Sequence, residues 1–186
     1  MNQHINIHQE LIAQCKSGDR RAQAEIFNLY SQAMFNVALR ILNRRDEAED
    51  VLQESFVKMF QNLNKYQGKS SFGAWFKRIV VNHAINQLKK RKLKYVEMKD
   101  EVLGLYDQVE EVEEYPVTID QVKEALKALP DGFRVVFTLY MFEDYSHKEI
   151  ADELGISVST SKSQLNRAKG KIRNFLMEHS NERRQA

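Results

Sequence analysis

The chain has one cysteine in 186 residues, Cys15, so no internal disulfide can form and a reducing compartment is expected. Prolines number two and glycines seven, too few to interrupt long helices often. With 42% hydrophobic residues, this composition excludes collagen-like and low-complexity chains and points to a largely helical protein. No apolar run approaches the roughly 20 residues of a membrane span, so direct membrane insertion is not expected. The opening MNQHINIHQE lacks a basic start followed by an apolar stretch, and no secretory signal is expected there. His4, His8, His83, His147 and His179 are scattered without metal-ligand spacing, and no glycine-rich loop is placed to cradle a phosphate. No metal site, cofactor or catalytic centre is therefore expected, and the expected location is cytoplasmic.

Net charge is also small, +2, but its distribution is uneven. Lys89, Lys90, Arg91, Lys92 and Lys94 form a basic run. From Glu97 to Glu114 eight acidic side chains stand against Lys99 alone. Lys162, Arg167, Lys169, Lys171 and Arg173 restore positive charge. This basic–acidic–basic order suggests two nucleic-acid-facing modules joined by an acidic linker.

From His8 to Leu42 apolar residues recur at three- and four-residue spacing, broken by a turn at Ser17-Gly18-Asp19. Asp46 is placed to cap a following helix whose stripe is Ala48, Val51, Leu52, Ser55, Phe56, Met59, Phe60 and Leu63. Its other side carries Glu47, Glu49, Asp50, Gln53, Glu54 and Lys58. Like charges at Asp50 and Glu54, one turn apart, mildly destabilise a lone helix. By pattern alone this is an amphipathic helix with a solvated acidic face; a basic partner is the other way to explain it.

Gly68-Lys69-Ser70-Ser71 reads as a loop, with Ser70 or Ser71 capping the next helix. Phe72, Trp75, Phe76, Ile79, Val80 and His83 mark its inward stripe. Arg78, Asn82, Asn86 and Lys89 or Lys90 fall on another face at one-turn spacing. Asparagines pair with base edges, cations hold phosphates, and a hydroxyl-rich loop beside aromatics suits an unstacked base. After the acidic stretch, Asp120–Leu129 and Phe133–Phe142 read as short amphipathic helices.

The stretch from Tyr145 to Arg173 has the pattern of a helix-turn-helix. Ser146 and Glu149 make a capping box, and Gly155 supplies the left-handed residue that ends the first helix. Ser157 caps a second helix with Ser161, Leu165, Ala168 and Ile172 facing inward. Ser159, Thr160, Lys162, Ser163, Asn166, Arg167 and Lys171 are left outward, a face of short polar groups and cations suited to a DNA groove. The tail HSNERRQA is expected to fray.

Taken together, these residues resemble a bacterial sigma factor of the extracytoplasmic-function type over about Leu11 to Met177. DEAEDVLQESFVKMF (Asp46–Phe60) is similar to the core-polymerase-binding helix of that family. SSFGAWFKRIVVNHAINQLKKRK (Ser70–Lys92) resembles its −10-reading segment. LPDGFRVVFTLYMFEDYSHKEIADELGIS (Leu129–Ser157), with the helix that follows, resembles its −35-binding domain. The order and spacing of the three are more specific than any one alone.

The resemblance implies an all-α fold of two small helical domains joined by a flexible acidic linker. Their extents are 8–95 (region 2), 96–118 (linker) and 119–179 (region 4). It implies core RNA polymerase and promoter DNA as partners, with an anti-sigma factor as restraint and no catalysis by the chain itself. Asp50, Gln53 and Glu54 would face the polymerase. Lys69, Ser70, Ser71, Arg78, Asn82, Asn86, Lys89 and Lys90 would face the −10 element, and the outward residues of the second helix the −35 element. Two departures stand out. Ser161 replaces an apolar core residue, which is expected to loosen packing, and Gln164 replaces a cation, which is expected to remove a phosphate contact or alter base preference. The rival reading is a stand-alone helix-turn-helix regulator, but residues 1–95 read as continuous helix rather than a βα receiver.

Overall fold

The computed structural model describes residues 8–91 and 118–185, with side chains described as far as residue 178. The expected linker, Thr118 apart, lies outside the described residues, as do Lys92, Lys94 and His4. The chain divides into two compact units, Met1–Arg91 and Lys92–Ala186. Regular structure among the described residues is entirely helical.

The first unit holds α1 (Gln9–Lys16), α2 (Arg20–Leu42), α3 (Arg45–Asn62) and α4 (Phe72–Lys90). A single 3-10 turn at Leu63–Lys65 follows α3. Asp19 starts α2 by accepting from the N–H groups of Arg21 (2.7 Å) and Ala22 (3.2 Å). Asn43 ends it in the left-handed region at φ 55°, which Asn tolerates better than most residues. The chain turns so sharply there that α3 begins at Arg45, before the aspartate expected to cap it. Arg44 is the cap and makes no side-chain cap bond, whereas Asp46 sits inside the first turn. There its carboxylate complements the positive end of the helix dipole instead.

Helices α2, α3 and α4 pack mutually, with α1 laid on α2. Ile26, Ile41, Leu42, Met59, Phe76, Val80, Val81, Ile85 and Leu88 are sealed inside. Each such side chain contributes about 1.5–3 kcal/mol on burial. An aromatic cluster closes one part of the bundle: Phe56 meets Phe76 at 4.7 Å, Tyr30 meets Phe72 at 5.3 Å, and Trp75 lies 5.2 Å from Tyr66. Gly73 lets α4 approach α2, since a Cβ there would stand 3.2 Å from the Tyr30 ring.

The second unit contains α5 (Ile119–Ala128), α6 (Asp131–Met141), α7 (His147–Leu154) and α8 (Val158–Gln185). Thr118 and Gln121 form a capping box on α5. Buried Arg134 donates to the Leu129 carbonyl (2.8 Å) and pairs with Asp131, tying the α5–α6 corner. Helices α5, α6 and α7 all pack on α8, around Val135, Val136, Leu139, Ile150, Leu165 and Ala168. The expected fraying of the tail is not seen, because α8 remains helical to Gln185. No glycine or proline follows Gly170 to break it.

Candidate nucleic-acid and polymerase interfaces

The turn between α7 and α8 is built from local rules. Ser146 Oγ accepts from the Glu149 N–H (3.3 Å), and the Glu149 carboxylate accepts from the Ser146 N–H (2.9 Å). Gly155 ends α7 at φ 68° and its N–H donates to the Ala151 carbonyl (2.9 Å). Ser157 Oγ accepts from the Thr160 N–H (2.9 Å) and stands 2.8 Å from the hydroxyls of Ser159 and Thr160. The start of α8 is therefore a fixed arrangement of hydroxyls rather than a set of free rotors.

On α8, Ser159, Lys162, Asn166 and Lys171 are exposed, while Thr160, Ser163 and Arg167 are half-buried. Ser163 Oγ donates to the Thr160 carbonyl (3.0 Å). Two departures noted in the sequence resolve differently from expectation. Gln164 is only 7% exposed, so it belongs to the inner side of the helix and substitutes for no phosphate contact. Ser161 is wholly buried, as its spacing predicted, but its packing is not simply loosened. Its Oγ lies 2.9 Å from His147 Nδ1 on α7.

On α4, Arg78, Asn82, Asn86, Lys89 and Lys90 are all exposed. Arg78, Asn82, Asn86 and Lys89 recur at the spacing of one helical face. The preceding loop is held at both ends. Tyr66 Oη donates to the Ser70 carbonyl (2.7 Å), and Ser71 Oγ accepts from the Ala74 N–H (3.2 Å). Lys69, Ser70 and Ser71 are exposed beside half-buried Trp75. Phe72 and Phe76 are core. His83 Nδ1 is 3.1 Å from the buried Ser55 hydroxyl on α3. Burial pushes the His83 imidazole below its ordinary value; Glu54 opposes this, and Lys58 and Lys90 add to it.

Arg91, counted in the sequence among nucleic-acid-facing cations, has a structural task. Its guanidinium donates to the Leu42 carbonyl at the end of α2 (3.3 Å) and pairs with Glu47 in the first turn of α3. Asp50, Gln53 and Glu54 are exposed on α3, as their spacing required. Sequence reading missed Val57, one turn further along the same face and 57% exposed. The available signal was a β-branched apolar residue standing on an otherwise polar stripe.

Comparison with known proteins accounts for both units. Residues 26–94 match the model for Sigma-70 region 2, and residues 119–172 match that for Sigma-70 region 4. This pairing, on an all-helical frame, defines a transcription factor of the sigma class. The chain is 31% identical over 139 residues to RNA polymerase sigma factor SigV of Bacillus subtilis (strain 168), covering 75% of this chain and 81% of that protein. It is 29% identical over 177 residues to ECF RNA polymerase sigma factor SigW of the same organism, covering 89% and 94%.

Among solved structures, RpoE from Bartonella quintana, solved in complex with the anti-sigma factor NepR, shares the fold at a TM-score of 0.53. The identity is 23%, with 83% of this chain and 96% of that one covered. CnrH, solved in complex with the cytosolic domain of CnrY, is similar at a TM-score of 0.50 and 23% identity, covering 91% and 96%. The chain belongs to the extracytoplasmic-function sigma factors of RNA polymerase, and it directs transcription initiation. Among the described residues, no helix is long and apolar enough to cross a membrane.

Proposed function

We propose that this sigma factor works in the cytoplasm with its two units reading two promoter elements, while the polymerase supplies all the chemistry. The face of α3 bearing Asp50, Gln53 and Glu54 docks on core polymerase, with Val57 as an apolar anchor in an acidic surround. The loop Lys69–Ser71 and the α4 face of Arg78, Asn82, Asn86, Lys89 and Lys90 engage the −10 element. Ser159, Thr160, Lys162, Ser163, Asn166, Arg167 and Lys171 on α8 engage the −35 element. Residues 8–95 act as region 2, 119–179 as region 4, and 96–118 as the tether. An anti-sigma factor is the further partner, by analogy with the Bartonella protein solved with one.

One observation carries the reading: Asn82 and Asn86 are exposed one turn apart, with Arg78 and Lys89 extending the same stripe. Amides able to pair with base edges between cations able to hold phosphate are the components of DNA readout. Unstacking a base takes a few kcal/mol, so a loop that holds the base out lowers the free energy of the melted state.

Run-off transcription with purified core polymerase on a randomised promoter library tests the whole. Two variants then separate its parts. Asn82→Ala is expected to lower promoter opening at least tenfold, ~1.4 kcal/mol of a lost bidentate contact, with core binding intact. Glu54→Lys is expected to weaken core association with DNA contacts untouched. Equal loss of both activities in either variant removes that residue from its assigned face.

A further inference from the structure

Tyr140, His147 and Ser161 join three helices at one point. Tyr140 lies in the last turn of α6, and its ring stacks on His147 with centroids 4.6 Å apart at 23°. His147 opens α7, and its Nδ1 lies 2.9 Å from the hydroxyl of Ser161 near the start of α8. Ser161 is completely buried, so its hydroxyl depends on a protein partner. Ser159, Thr160, Lys162 and Ser163 surround it in sequence. Any rotation of α8 about this point therefore moves those side chains together.

We propose that His147 is a positioning residue for promoter recognition: the Tyr140–His147–Ser161 latch sets how α8 seats on α6 and α7, and so where Lys162, Ser163 and Asn166 meet DNA. The proposal rests on the reading of α8 as the −35-facing helix. It adds that the seating is sensitive to protonation.

The groups facing the imidazole set the sign. Tyr140 faces it from α6, Lys162 and Lys169 act on it from α8, and Lys148 and Glu149 follow it on α7, where Glu149 is committed to the capping box. Burial first, then Lys162 and Lys169, push His147 below its ordinary value of 6.5. The positive end of the α7 dipole acts in the same direction. The seated helix thus takes up a proton less readily than a displaced one. Seating is therefore favoured most above pH 6.5, and the preference weakens as pH falls below it.

The test uses full-length protein and its holoenzyme on a promoter duplex selected from a randomised library. His147→Ala and Ser161→Ala are each expected to weaken binding about fivefold at neutral pH, ~1 kcal/mol for one net hydrogen bond. The double variant is expected to be no weaker than either single one. His147→Asn keeps a polar atom near the Nδ1 position without a titrating ring. It is expected to bind within about twofold of the parent and to lose the parent's decline between about pH 7.5 and about pH 5.5.

Additive losses, or an unchanged pH profile in His147→Asn, overturn the latch. A side chain that only fills space leaves that profile where it was. Arg167→Ala with Lys171→Ala provides the independent arm, because it removes proposed phosphate contacts at residues that do not act on the His147 imidazole. If that pair leaves binding intact, the DNA-facing reading of α8 fails. The latch then stands or falls on whether His147→Asn flattens the pH dependence of the melting temperature.

Discussion

Replacing Arg91 by alanine tests whether one guanidinium holds the corner of the first unit. Its side chain is 17% exposed and that of Glu47 13%, so both ends of the pair are largely withdrawn from water. An exposed ion pair contributes about 0–1 kcal/mol, whereas breaking a fully buried one costs about 3–5 kcal/mol. This pair lies between those limits. Glu47 keeps a second partner in Arg44 at 3.2 Å, which softens the loss, but that arginine side chain is 63% exposed and well screened. The Leu42 carbonyl at the end of α2 also loses its donor.

Together these place the expected destabilisation near ~2 kcal/mol. In hydrogen exchange of the whole chain, amides that open only with the bundle, such as those of Val81 and Ile85, are expected to lose protection about 30-fold. Glu47→Gln is expected to produce a similar loss, and the double variant much less than the sum. A change below about twofold in Arg91→Ala would mean that the guanidinium is solvated in practice. In that case its count among the DNA-facing cations is restored.

Gly155→Ala isolates a backbone effect. A Cβ there meets nothing within 4 Å, so the whole penalty comes from φ 68°, about 1–2 kcal/mol. The second unit is expected to melt about 5–10 °C lower by circular dichroism, with the first unchanged. Lys162→Ala is expected to reduce the slope of log K against log salt by about 0.9, with little change in sequence preference. An unaltered slope means that this lysine touches no phosphate.

Much of the fold was legible because its signals are local. The boxes at Ser146–Glu149, the glycine ending α7 and the serine opening α8 each act within a few residues, and all occur where spacing placed them. Asp46 misled for a related reason: its identity suits a cap, but the left-handed Asn43 before it set the helix start, and left-handed asparagine is not obvious from sequence. Arg91 and Ser161 were harder still. Their partners, Glu47 and His147, lie 44 and 14 residues away, and no short-range pattern connects them. Gln164 illustrates a limit of reading by analogy. A polar residue in place of a cation suggests an altered outer face, whereas the helix turns it inward, where Leu165 and Ala168 are also buried. The exposed stripes on α3 and α4 were legible because charge and amide spacing on a helix surface depends on periodicity alone.

The placement of Trp75 has a practical corollary. It is the only tryptophan in the chain, stands half-buried between the rings of Tyr66 and Phe72, and borders the Lys69–Ser71 loop. Its emission is therefore an intrinsic optical probe of one unit and one loop, with no tryptophan background from α5 to α8. Stopped-flow fluorescence of the unlabelled protein mixed with a single-stranded promoter oligonucleotide can therefore test the proposed capture of a base by that loop, separately from any event at α8.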